Sequence, residues 1–241
     1  MILPLINVFQ NVYEVYELPP EPVFENGSLR YRYQGIPKWR ISDPYEAAMH
    51  MATVLVDNGL ESHIDNYLSN SPIYKIWRRM MPNRTPKIFL QYQNSYSRFD
   101  DMHRLETELI RVNALLSVGQ VLFHGGYWCY GKELILSEPL STSFSPQIAL
   151  RNGEHLYKAY DRGYLDLWVI TTRSSVTPVF SFRIDSRNRM GREKEVLLNS
   201  EAKLTLKSIT NVRTYNVAHY STGIEKTIMV RIIYLDLDNY N

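Results

Sequence analysis

The chain changes character near Gly119, and that change limits what it can fold into. Before it, apolar residues recur at helical spacing. After it come runs rich in β-branched and aromatic residues: GQVLFHGG, YLDLWVITTR, TPVFSFRI, KEVLLN, AKLTLKSITNV and KTIMVRIIYLDL. Helices gathered in one half and strands in the other predict an α+β fold, not an alternating parallel one. With 241 residues, 44% of them hydrophobic, the chain is long enough to bury a core without staples.

The helical half can be read in segments. Residues 1–40 read as irregular, broken by Pro19, Pro20 and Pro22. A helix begins at Asp43, with Pro44 suited to the first position and Glu46 completing a capping-box pattern. Ala47, Ala48, Met51, Val54 and Leu55 share its face, and Asn58-Gly59 is expected to end it. Short helices follow over Leu60 to Leu68 and Ile73 to Met80, then a loop marked by Pro82 and Pro86. From Asp100 or Asp101 a further helix carries Leu105, Leu109, Val112 and Leu116 in one stripe, ending at Gly119.

Composition excludes several classes of function. A formal charge of +2 argues for neither nucleic acid nor membrane binding. The clusters Lys75, Arg78, Arg79 and Arg183, Arg187, Arg189, Arg192 read as solvated faces. A single cysteine, Cys129, forms no internal disulfide, and the histidines lack ligand spacing, so no metal is expected. No apolar run approaches the roughly 20 residues that span a bilayer. The start lacks a basic region and a cleavage site. The chain is therefore expected in the cytoplasm where it is made, or delivered into a target cell by a specialised machine. No glycine-rich phosphate loop or GxGxxG is present, so any nucleotide is held by other means.

Three segments carry residue types suited to chemistry. In Val121-Leu122-Phe123-His124-Gly125-Gly126, an imidazole ends a strand and two glycines leave room for a ligand near the backbone. In Leu140-Ser141-Thr142-Ser143-Phe144-Ser145, four hydroxyls crowd a short β-type run, and Ser145 can cap a helix over SPQIALRN. In Arg192-Glu193-Lys194-Glu195-Val196-Leu197-Leu198, strand alternation puts Glu193 and Glu195 on one face, where two carboxylates can take different roles. Each segment alone also has a plain reading: a strand end and turn, a loop or cap, a charged strand edge.

In order and spacing, the three together resemble the ADP-ribosyltransferase family of toxins and regulatory enzymes. The resemblance covers roughly residues 103–237, with Glu-x-Glu-Val-Leu-Leu after Ser-Thr-Ser as its specific part. One departure stands out. The Ser-Thr-Ser/Glu-x-Glu branch carries Arg on its first strand, whereas His124-Gly125 resembles the His-Gly opening of another branch.

The resemblance implies a split β-sheet core over residues 101–241, with an irregular and helical region, residues 1–100, packed on it. It implies NAD as substrate, bound by His124, Gly125, Ser141, Thr142, Ser143 and Glu195. Glu195 would be the catalytic carboxylate, oriented by Ser141, with Glu193 acting on the incoming nucleophile and Thr142 and Ser143 supporting the strand. A Glu at position 193 goes with arginine acceptors. Arg151 and Arg173 are the candidates for phosphate contact, and the loop from Asp185 to Arg192 for target recognition. The partner is then a macromolecular acceptor, a protein or alternatively nucleic acid, and an immunity protein or chaperone is conceivable for such a toxin or effector. An NAD glycohydrolase using water and a non-enzymatic module sharing the fold stay open as alternatives.

Overall fold

The computed structural model describes residues 1–17, 21–25, 28–32, 35–95, 99–184, 193–219 and 222–239. The first forty residues are more ordered than their prolines suggest. Strand β1 (Tyr13–Val15) pairs antiparallel with β4 (Trp39–Ile41), and between them β2 (Glu21–Glu25) and β3 (Ser28–Arg32) form a hairpin. Strands this short leave almost no alternation to detect.

Local capping chemistry sets the helix starts. Asp43 accepts from the backbone N–H groups of Tyr45 and Glu46 at 2.8 Å each and opens α1 (Pro44–Val54). Glu46 reaches back to the N–H and hydroxyl of Ser42, both at 2.8 Å. The helix ends at Leu55, whose φ is 67°, and not at Asn58-Gly59. Those two residues instead open α2 (Asn58–Asn70), which Asp57 caps through the Leu60 N–H at 3.0 Å. Next is α3 (Pro72–Met80), capped by Ser71.

The stretch expected as a loop holds α4 (Lys87–Ser95). Pro86 does not break it. Its carbonyl accepts from Phe89 and Leu90, so the proline stands just ahead of the first turn, where its missing N–H costs nothing. Helix α5 (Met102–Val112) stops at Asn113, with φ 52°, short of Gly119. Leu116 is buried, but beyond the helix.

The remaining strands are β5 (Ala114–Leu115), β6 (Val121–Gly126), β7 (Glu133–Ile135), β8 (Leu140–Ser143), β9 (Tyr164–Thr172), β10 (Pro178–Ser181), β11 (Glu195–Leu198), β12 (Ala202–Ala218) and β13 (Glu225–Asn239). They form one nine-stranded sheet in the order β5-β10-β11-β8-β6-β9-β13-β12-β7. Its middle joint is weak. Strand β6 pairs with β9 from Val121 to Gly126 but with β8 only through Phe123↔Ser143. The sheet is therefore two wings hinged at one residue pair. Helix α6 (Pro146–Glu154), capped by Ser145 as its sequence suggests, lies against β6, and α7 (Lys158–Arg162) follows.

One apolar cluster links both halves of the chain, from Leu3, Trp77 and Phe89 to Leu122, Val196 and Leu235. Phe89 of α4 stacks on Phe180 of β10 with ring centroids 4.0 Å apart. Between the parallel strands β9 and β13, fully buried Asp166 takes a bidentate pair from Arg231 at 2.7 and 2.6 Å. The architecture is α+β.

Candidate active site

The register of β8 and β11 pairs Glu195 with Ser143 and Leu197 with Ser141. Ser141 and Glu195 are thus diagonal neighbours on one face, close enough for side chains to meet. The Ser141 hydroxyl donates to Glu195 Oε1 at 2.7 Å. Gln93, on α4, donates its side-chain amide to Glu195 Oε2 at 2.8 Å. Only 5% of the Glu195 surface is exposed. Burial raises its carboxyl to about 7, against the pull of the Ser141 and Gln93 hydrogen bonds, and the nearby Glu193 adds to the rise. The side chain sits where it can exist in either protonation state near neutrality.

Gln93 escaped the sequence reading because its helix did. The signal was present in Ile88, Phe89 and Tyr92, all buried and spaced as one helical face after Pro86.

Glu193 and Glu195 do not share a strand face. Strand β11 begins at Glu195, and Lys194 before it has a left-handed backbone, φ 51°. Alternation fails at that residue. The Lys194 side chain turns into the protein and pairs with Glu61, and with Asp65 at 3.0 Å, both on α2. Glu193 is half-buried, and its carbonyl accepts the Ser143 hydroxyl at 2.6 Å. Ser143 also accepts from the Ser145 N–H at 3.0 Å, while Thr142 donates to the Val196 carbonyl at 2.5 Å. These two hydroxyls hold the strands and the cap of α6 together.

His124 lies on β6 beside the hinge. Its Nδ1 is 2.7 Å from the Ser141 carbonyl oxygen, which can only accept, so Nδ1 carries the proton. The ring lies against Trp168, centroids 4.8 Å apart. Burial lowers the imidazole to about 4, opposed by the bond to Ser141 and helped by the charge of Lys158. The ring is therefore neutral near pH 7, and its Nε2 is an acceptor.

The glycines after His124 serve packing. A Cβ on Gly125 would lie 1.7 Å from the Ala149 carbonyl oxygen of α6. One on Gly126 would lie 2.9 Å from both His124 and Trp168. Close approach of α6 is thus a packing reason for glycine at position 125.

Other candidates fall elsewhere. Arg173 is tied to Asp236 at 2.7 Å, past the end of β9 that pairs with Val121, so it is remote from His124 along the sheet. Arg151 is exposed on α6. Arg78 is not part of a solvated face: it is half-buried and donates to the Ser181 carbonyl, beside β11. Arg187, Arg189, Arg192 and the loop from Asp185 lie outside the described residues. Open hollows such as that bordered by Gln10, His63, Tyr67 and Asn70 share no residue with the Glu195 cluster. Among the described residues no helix is long and apolar enough to cross a membrane, and no group of metal-ligating side chains gathers.

No family model matches the chain, and no curated protein matches it. Solved structures do. Vis toxin, an ADP-ribosyltransferase from Vibrio splendidus, aligns at 13% identity and TM-score 0.34 over 78% of this chain and 76% of its own. C3larvin toxin, an ADP-ribosyltransferase from Paenibacillus larvae, aligns at 12% and 0.38 over 71% and 98%. Plx2a, an ADP-ribosyltransferase toxin from the same organism, aligns at 11% and 0.39 over 74% and 96%. All three carry the description of the family that the Ser-Thr-Ser and Glu-Lys-Glu segments of this chain resemble.

Proposed function

We propose that this chain is a mono-ADP-ribosyltransferase that cleaves NAD and passes ADP-ribose to a macromolecular acceptor, a protein arginine in the first instance. The observation that carries the reading is the buried Glu195 carboxyl held by the Ser141 hydroxyl at 2.7 Å. The nicotinamide of NAD is a cationic leaving group on the ribose. Its departure leaves positive charge on the ribosyl carbon and ring oxygen. An ionised Glu195 stabilises that charge, as a carboxylate does in glycoside hydrolysis. Because burial opposes ionisation, the carboxylate gains most when a cation forms beside it.

The remaining roles follow from chemistry. Neutral His124 offers Nε2 as an acceptor for a hydroxyl or amide of the nucleotide. Glu193, off the strand and half-buried, orients or deprotonates the acceptor. Water in place of that acceptor gives hydrolysis with the same bond broken.

The test is incubation with NAD labelled in its adenylate part, together with a cell lysate, for the natural chain and for Glu195→Gln. Label appearing on a macromolecule with the natural chain alone supports the reading. Free ADP-ribose alone turns it into a hydrolase. No cleavage of NAD by the natural chain removes it.

A further inference from the structure

We propose that Gln93 is a positioning residue of this site, its amide fixing the second carboxylate oxygen of Glu195 while Ser141 fixes the first. The proposal rests on the reading of Glu195 given above. It adds a residue from α4, outside the span of the family resemblance.

The geometry separates this role from plain packing. Helix α4 is anchored by Ile88, Phe89 and Tyr92, all buried, and by the Phe89–Phe180 stack. The amide is not needed to hold the helix. It is nevertheless buried, 9% exposed, and directed at a carboxyl oxygen 2.8 Å away. A buried amide so placed favours the charged carboxylate and fixes the plane of the group. With a donor on each oxygen, Glu195 cannot rotate about its last bond without losing both. Each oxygen keeps a lone pair for a substrate hydroxyl.

The charged groups around Glu195 leave this pair decisive. Among the described residues, Glu193 is a charged side chain whose field reaches the carboxyl. Lys194 pairs with Glu61 and Asp65, and Arg78 donates to the Ser181 carbonyl. Neutral His124 bonds the Ser141 carbonyl.

The test uses the full chain with Gln93→Met, close in size but without a donor, and Gln93→Glu, which sets a second carboxyl on the same oxygen. Two quantities are followed against pH: the rate of NAD cleavage and the carbon-13 NMR signal of the Glu195 carboxyl, assigned by its loss in Glu195→Gln. Both variants should move the carboxyl midpoint to higher pH, Gln93→Glu further. For Gln93→Met, kcat at pH 7 should fall about tenfold and recover at alkaline pH, with KM for NAD little changed. A midpoint unmoved in both variants, with kcat lowered equally at every pH, overturns the proposal. Absence of NAD cleavage in the natural chain instead removes the reading of the site, and with it the catalytic sense of Gln93, wherever the midpoint falls.

Discussion

Ser141 receives the Nδ1–H of His124 on its carbonyl oxygen and gives its hydroxyl to Glu195, both at 2.7 Å. One residue thus joins a base displaced downward to an acid displaced upward. His124 is lowered to about 4 and Glu195 raised to about 7, each chiefly by burial.

Their effects on stability oppose one another. From about pH 4 to the usual histidine value of 6.5, the unfolded chain binds a proton that folded His124 refuses, so this residue makes stability rise with pH. From the usual 4.5 to about 7, folded Glu195 keeps a proton that the unfolded chain has lost, so this residue makes stability fall as pH rises. Melting temperatures between pH 4 and 8 should therefore show a steeper rise with pH for Glu195→Gln than for the natural chain. For His124→Asn the profile should tilt the other way. Three parallel profiles would contradict the assignment.

Glu195→Gln should lose activity and gain stability together. On the proposed reading, removing the charge that would face the ribosyl cation should cost about 3–4 kcal/mol of transition-state stabilisation. At pH 8 the same variant should melt above the natural chain, because a buried charge is gone. Steady-state NAD cleavage and thermal unfolding on one preparation check both. Full activity in the variant ends the assignment.

Ser141→Ala removes the donor on Oε1, and the Glu195 carboxyl should then titrate above its present position at about 7. The pH profile of NAD cleavage should shift to the alkaline side, with about tenfold lower rate at pH 7. A rate lowered evenly across pH would point to damage elsewhere.

Gly125→Ala should fail structurally rather than chemically. The new Cβ meets the Ala149 carbonyl oxygen, and backbone cannot step aside as a flexible side chain can. The expected cost is about 3 kcal/mol or more, read by denaturant unfolding. A stable Gly125→Ala protein impaired only in NAD binding would restore a ligand role to this glycine.

Asp166→Ala should be similarly severe for a different reason. It leaves the Arg231 guanidinium, stacked 3.9 Å over Tyr164, without its carboxylate. Breaking such a pair costs about 3–5 kcal/mol. A melting temperature within a few degrees of the natural chain would show that solvent reaches Arg231.

Much of this was legible in the residues. Asp43, Ser145 and the β-branched runs announce themselves because capping and strand propensity act locally. The Ser141–Glu195 contact was legible only through what the family resemblance implies, because it is a diagonal contact across two strands that neither segment announces alone. The rest depended on geometry that composition does not carry. Alternation put Glu193 and Glu195 on one face, but alternation assumes extended backbone, and Lys194 departs from it to reach Glu61 and Asp65. Pro86 reads as a breaker because a proline ahead of a helix and one ending it look alike without the turn that follows. Gln93 lies on the helix that this proline precedes.

The left-handed turn at Lys194 separates two carboxylates that the sequence writes almost side by side. Glu195 is locked by sheet register, while Glu193 lies before the strand, its carbonyl accepting the Ser143 hydroxyl. On the proposed reading, a substitution at Glu193, before the turn, bears on the acceptor, and one at Glu195, after it, bears on bond breaking. On that reading a lineage can vary the residue before the turn while sheet register keeps the cleaving carboxylate in place, although its protonation still answers to whatever charge stands at position 193.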